Sequence, residues 1–133
     1  MTSQSKRRGV AAVEFAMVVP FFVLLVFGMI EIGRGIMVNQ ILTNAAREGA
    51  REAILVGSTT SNVQAAVDDY LTGASIPGGT VTVSPSPTSA DARDPITVTV
   101  SVPVSNVLWI ASSQFFPAAG EFQASSTMLK EDE

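Results

Sequence analysis

The 133-residue chain contains no cysteine and no histidine. Disulfide scaffolds, zinc clusters built on these side chains and nucleophilic triads with an imidazole base are therefore excluded. A nucleophile and its base would have to come from Ser, Asp and Glu, and the sequence offers no convincing set. Asp91 and Asp94 lack the Gly-centred ligand loop of a calcium site. We expect no enzymatic activity, no metal and no cofactor.

Positive charge is also scarce, with eight Lys and Arg against twelve Asp and Glu and a net charge of −4. Lys6, Arg7 and Arg8 form the one basic cluster, and from Glu31 onward eleven acidic residues face only five basic ones. Nucleic-acid-binding proteins concentrate basic residues on one face. The sequence argues against such a surface.

One long apolar run follows the basic cluster. From Val10 to Ile30 the only charged residue is Glu14, and at about 1.5 Å per residue the run spans the roughly 30 Å hydrocarbon layer of a bilayer. This predicts a single transmembrane helix. Because basic residues favour the cytoplasmic side, we expect a cytoplasmic N-terminus, oriented by Lys6, Arg7 and Arg8, and an extracytoplasmic C-terminal region.

Two residues stand out inside the run. Glu14 costs about 2.5 to 3.5 kcal/mol at mid-bilayer, and somewhat less off-centre, so it needs a compensating partner. Pro20 removes a helical hydrogen bond and predicts a kink. A cleaved signal peptide is the competing interpretation, but its apolar region is shorter and ends at a small-residue cleavage site, which this run lacks.

Helical periodicity continues beyond the run and predicts one helix as far as Val56, ending at Gly57. Its small residues Ala45, Gly49 and Ala53 would let another backbone approach closely, which makes them a candidate docking face for a partner helix. Ordinary packing beside a solvated face is the alternative. The full apolar stripe comprises Ile32, Ile36, Ile41, Leu42, Ala45, Ala46, Gly49, Ala53 and Val56.

The remaining sequence predicts a small region of a short helix and two or three antiparallel strands. Ser61 would cap a helix over residues 61–74, and alternating Val and Thr predict strands at 79–84 and 95–104, with a last one at 121–130. The fold class is therefore α+β, with a long N-terminal helix followed by a small layered domain. Trp109, Phe115 and Phe116 belong to the core or a membrane interface, or form an exposed binding patch.

The stretch RRGVAAVEFAMVVPFFVLLVFGMIEIGR, followed by LTNAAREGARE, resembles the TadE-like family of minor pilins or pseudopilins from tight-adherence, Flp-type pilus systems. TadF and TadG proteins share parts of this beginning. The resemblance implies cleavage by a membrane prepilin peptidase between Gly9 and Val10. Glu14 would become the fifth mature residue, followed by Phe15, and the net charge would change from −4 to −7.

The resemblance also implies how Glu14 finds its partner. Cleavage would create a positively charged amino group at Val10, which Glu14 of an adjacent subunit could neutralise. The implied partners are the prepilin peptidase, other pilins or pseudopilins, the pilus assembly machinery and the bacterial inner-membrane bilayer. Pro20 lies at an unfamiliar position for a major pilin, and the globular part is too large for the major Flp subunit, so a minor subunit is implied.

The expected layout is a leader at 1–9, a transmembrane and extended helix at 10–57, and an extracytoplasmic α+β region at 58–133. The rival hypothesis is an uncleaved, signal-anchored extracytoplasmic binding or scaffold module. In that case Glu14 would be incidental.

Overall fold

The computed structural model describes residues 3–109 and 119–132. Its helices are α1 (Ser3–Ala53) and α2 (Thr60–Gly73), and its strands are β1 (Thr80–Ser84), β2 (Pro95–Pro103) and β3 (Glu121–Leu129). A 3-10 turn at Val104–Asn106 follows β2. The α+β class predicted from the sequence is confirmed. Phe115 and Phe116 lie outside the described residues.

The chain divides into two compact units, Met1–Gly33 and Arg34–Glu133. The division falls inside α1, so residues 34–53 of this helix belong to the second unit.

The first unit is a helix whose apolar side chains are exposed on every side. Phe21 is 74% exposed and Phe15 72% exposed. A helix in water normally confines its apolar residues to one stripe, so this one requires an apolar surrounding. The helix over Gly9–Ala53 is long and apolar enough to cross a membrane by length and composition.

The second unit is built on a three-stranded antiparallel sheet with β2 in the centre. Successive side chains of a strand point to opposite faces. On β2, the buried face carries Ile96, Val98, Val100 and Val102, and the other face carries half-buried Thr and Ser. The alternation predicted from the sequence is therefore confirmed.

Residues 34–53 of α1 and the helix α2 complete the core of this unit. Helix α2 contributes Val63, Val67 and Leu71, and α1 contributes Val38, Leu42 and a set of alanines, all buried. Burying such an aliphatic side chain stabilises a fold by about 1.5 to 3 kcal/mol. The core comprises Val38, Leu42, Ala45, Ala46, Ala50, Ala53, Val63, Val67, Leu71, Ile76, Ala90, Ile96, Val98, Val100, Val102 and Val107.

Helix α1 ends at Ala53, earlier than the predicted Gly57. The carbonyl of Ile54 accepts a hydrogen bond from the backbone N–H of Glu131, at 3.2 Å. Because Glu131, after β3, gives this carbonyl a hydrogen-bond donor, a further turn of helix is not needed to supply one. Val56, predicted to be on the apolar stripe, is consequently exposed.

Helix α2 is capped by Thr59, and the predicted cap Ser61 is wrong. Thr59 has an extended backbone and its hydroxyl accepts the N–H of Asn62, at 3.3 Å. The same hydroxyl donates to Asn62 Oδ1, at 2.8 Å. Ser61 lies within the helix and therefore cannot serve as its N-cap.

Candidate processing and assembly site

Gly9, Val10, Val13 and Glu14 lie together at the start of the apolar run. They line one shallow depression on α1. Val10 and Glu14 are four residues apart, and residues at that spacing share one helix face. The structure therefore brings the predicted cleavage position and the carboxylate to the same surface.

This surface is open. A Cβ added at Gly9 would meet no atom within 4 Å. Phe15 follows Glu14 and points about 100° further around the helix axis, where its ring is exposed. Glu14 and Phe15 thus face different directions, so they can contact different neighbours.

The charge of Glu14 is not neutralised by the ion pairs found among the side chains that the structure describes, those of residues 9–109 and 119–132. Those pairs join Arg51 to Glu48, at 3.8 Å, and Arg93 to Asp132, at 2.9 Å. A carboxylate in an apolar helix is stabilised by a cation within a few ångströms. Its position leaves the Glu14 carboxylate available to a cation from another molecule.

The bond between Gly9 and Val10 lies inside a helix, because α1 begins at Ser3. The backbone of Lys6, Arg7 and Arg8 is part of the same helix, whereas their side chains lie outside the described residues. Glycine lowers helix stability by about 1 kcal/mol relative to alanine. Gly9 is therefore a point at which the first turns of α1 can open at low cost.

Comparison with known proteins identifies the segment that carries this geometry. Residues 9–51 match the model of the TadE-like protein family. The resemblance seen in the sequence is confirmed over this segment. No curated protein and no solved structure matches the chain.

The TadE-like segment begins at Gly9 and ends at Arg51. It contains the depression around Glu14 and residues 34–51 of α1, and leaves out α2 and the sheet. The family match suggests a Tad pilus-associated, minor-pilin-like role, and together with the membrane-length helix it fits a single-pass membrane protein.

The small residues Ala45, Gly49 and Ala53, predicted as a docking face, pack inside the chain's own second unit. Ala45 and Ala53 are fully buried, and a Cβ added at Gly49 would lie 2.7 Å from Val67 Cγ2 and 3.0 Å from Val98 Cγ1. The close approach that these residues permit is thus made to α2 and β2. In this structure the stripe is occupied, and it offers no open face to a partner helix.

Arg34 and Trp109 form a contact that the sequence did not indicate. Arg34 Nε donates to the carbonyl of Val107, at 3.0 Å. Its guanidinium carbon lies 4.7 Å from the centroid of the Trp109 ring, within the range of a cation–π interaction. The residues are far apart in the chain, so no local pattern links them.

Asp91 and Asp94 have structural roles in the loop between β1 and β2. The Asp94 carboxylate accepts the backbone N–H of Asp91, at 3.0 Å. Lys130 Nζ closes the other side of the loop by donating to the carbonyls of Pro87, at 3.0 Å, and Ala90, at 2.6 Å. Within the described residues no group of three or more acidic side chains could hold a metal ion.

Proposed function

We propose that this chain is a TadE-like minor pilin or pseudopilin that acts in the assembly of an adhesive, Flp-type pilus. A prepilin peptidase removes residues 1–9, and the mature chain begins at Val10. The observation that carries the proposal is the common surface formed by Gly9, Val10 and Glu14 on an exposed apolar helix. The TadE-like match begins at the same glycine.

Cleavage supplies the cation that Glu14 lacks. The new amino group of Val10 carries a positive charge, and it interacts strongly with a carboxylate in a low-dielectric surrounding. Glu14 and Val10 lie on one helix face, so a neighbouring subunit can present either group to the other. Glu14 therefore acts in subunit docking, and Phe15 contributes an apolar contact from an adjacent side of the helix.

The chain sits in the bacterial inner membrane as a single-pass protein with its N-terminus in the cytoplasm. The cluster Lys6–Arg8 supports this orientation through the positive-inside rule. The second unit, with its net acidic charge, then lies outside the cytoplasm. Its partners are the prepilin peptidase, other pilins or pseudopilins, and the assembly machinery of the pilus.

Processing is tested by N-terminal sequencing of the mature protein from cells with and without the peptidase. We expect a chain that begins at Val10 only when the peptidase is present. The matched variants are Gly9→Leu and Gly28→Leu, since an added Cβ meets nothing within 4 Å at either glycine. Gly9→Leu should block cleavage and Gly28→Leu should not. Equal processing of both variants would contradict the cleavage position.

The second candidate function is an uncleaved, signal-anchored extracytoplasmic scaffold or binding module. The helical conformation of the Gly9–Val10 bond favours it, because a protease must open that helix before cutting. Glu14→Leu discriminates between the two functions. In a pilin the substitution spoils assembly while cleavage can survive, whereas in a scaffold module it only improves membrane insertion. Ala11→Leu is the control, because it adds apolar surface without removing the carboxylate.

A further inference from the structure

One end of the second unit is formed by the start of its helical part and the start of β3. A Cβ added at Gly35 would lie 3.4 Å from the ring of Phe122. The first residues of α1 in the second unit therefore lie beside the start of β3. The N–H of Val104 bonds to the carbonyl of Gly120 at the same end, at 3.1 Å. We call this surface, with Arg34 and the residues 104–109, the Arg34 end.

The opposite end of the unit carries most of the acidic residues around β3. There the backbone N–H of Glu131 donates a hydrogen bond to the carbonyl of Ile54. The backbone N–H of Lys130 donates to the carbonyl of Asp94, at 3.0 Å. Asp91, Asp94, Glu131 and Asp132 all belong to this far end, while Glu121 opens β3 at the Arg34 end. Most of the acidic residues around β3 therefore lie away from Arg34, whereas Glu121 lies at the same end and Glu31 precedes Arg34 by one helical turn.

The guanidinium of Arg34 is held on two sides. Its Nε donates to the carbonyl of Val107, and its central carbon lies 4.7 Å from the centroid of the Trp109 ring. An arginine side chain has further N–H groups on Nη1 and Nη2, arranged as a planar fork that matches phosphate oxygens. Because the side chain is already fixed, little entropy is lost when that fork binds a ligand.

Trp109 supplies an apolar ring beside this fork. Its side chain is 62% exposed, which is unusual for a large aromatic residue in water. Tryptophan is enriched where a membrane meets water, because its ring is apolar and its indole N–H is polar. The pair thus combines a phosphate-binding fork with an interfacial ring.

We propose that the Arg34 end is a lipid anchor, in which Arg34 binds the phosphate of a phospholipid and Trp109 lies among the headgroups. The occupant is the bilayer that holds the chain's own apolar helix, because Arg34 follows Gly33, the last residue of the first unit, without a linker. The anchor rests on the membrane insertion proposed above, but not on cleavage or pilus assembly. Glu31 lies one helical turn before Arg34, so this end is not a purely cationic patch. The proposal therefore assigns phosphate binding to the planar fork of Arg34.

Trp109 is the only tryptophan in the chain, so its fluorescence reports on this surface alone. The full chain is reconstituted in phosphatidylcholine vesicles, and flotation measures how much of it is inserted. Nitroxide quenchers are placed either on the lipid headgroup or at the end of the acyl chain. We expect the headgroup nitroxide to quench Trp109 at least about twofold more strongly than the chain-end nitroxide, because interfacial aromatic residues lie at headgroup depth.

Arg34→Ala should reduce quenching by the headgroup nitroxide, since Trp109 loses the group that joins it to phosphate. Arg34→Lys keeps the charge without the planar fork and should give an intermediate value. Arg47→Ala is the control, because Arg47 is an exposed arginine of the same helix that is absent from the Trp109 contact. Its quenching should equal that of the unmodified chain.

The outcomes separate the anchor from the function on which it rests. If the chain does not float with the vesicles, both the membrane insertion and the anchor fail. If it floats but headgroup quenching is no stronger than chain-end quenching, the anchor alone fails. If it floats and Arg34→Ala quenches as strongly as Arg47→Ala, phosphate binding by Arg34 is wrong even though Trp109 is interfacial.

Discussion

The two parts of α1 are built from similar apolar residues and meet opposite surroundings. In the first unit, Phe21 and Leu25 are exposed, and in the second unit Val38 and Leu42 are buried by the sheet and α2. The same helix therefore carries exposed apolar side chains in the first unit and buried ones in the second. Residues in the first part need an apolar environment from outside, whereas the second part receives it from its own chain.

The polar residues of α1 show where the surroundings change. Asn39, Gln40, Asn44 and Arg47 lie on the exposed side of the second part, and the run from Val10 to Ile30 has no such side. A helix in water needs one polar face, and a helix in lipid does not. The absence of a polar face, more than apolar content, therefore distinguishes the membrane-length run from the second part of α1.

The largest expected effect comes from enlarging a glycine in each of the two parts of α1. Gly49→Leu inserts a side chain where Val67 and Val98 already lie within 3.0 Å of the added Cβ. We expect it to destabilise the second unit by about 3 kcal/mol, at the upper end of overpacking costs. Denaturant unfolding of the full chain in mild detergent, followed by circular dichroism, measures this.

Gly33→Leu is the matched control, because an added Cβ there meets nothing within 4 Å. Its only expected effect is a gain of up to about 1 kcal/mol from better helix propensity. The two substitutions should therefore change the free energy of unfolding in opposite directions. Equal destabilisation would mean that the two parts of α1 do not differ as described.

Much of the fold was predictable because each signal was local. The alternation from Ile96 to Val102 predicted which face of β2 is buried, and the long apolar run predicted the membrane-length helix. The stripe through Leu42, Ala45 and Gly49 predicted burial but not the residues that cover it. Periodicity reports that a face is covered, and it carries no information about whether the cover comes from the same chain.

Other features depended on contacts between distant parts of the sequence. Just after the end of α1, the carbonyl of Ile54 accepts from the backbone N–H of Glu131, and Arg34 reaches Trp109 only through folding. Ile36 was predicted on the apolar stripe and is 58% exposed. At the candidate processing site, the register of Gly9, Val10 and Glu14 was implied by the resemblance to the TadE-like family. Helix geometry adds only that Val10 and Glu14, four residues apart, share a face.

A smaller effect tests whether a substitution can lower the unfolding free energy of the second unit without changing the first unit. Thr59→Ala removes the cap of α2, which lies wholly in the second unit, and should lower its unfolding free energy by about 1 kcal/mol. The chain has four hydroxyl residues in succession at 58–61, which explains why the sequence did not single out Thr59. Ser61→Ala should leave the free energy of unfolding nearly unchanged. If Ser61→Ala lowers it more than Thr59→Ala does, Ser61 and not Thr59 is the cap.

The smallest expected effect uses salt to ask which part of α1 lies in water. Glu48 and Arg51 form an ion pair one turn apart, with side chains 51% and 72% exposed. Such a pair stabilises a helix by about 0.3 kcal/mol, and ions in solution screen it. Glu48→Gln should therefore lower stability slightly at low ionic strength and not at all in concentrated salt. Asn44→Ala, on the same exposed side, should show no salt dependence. If the Glu48→Gln effect persists in concentrated salt, this part of α1 is shielded from water, and its contrast with the run from Val10 to Ile30 weakens.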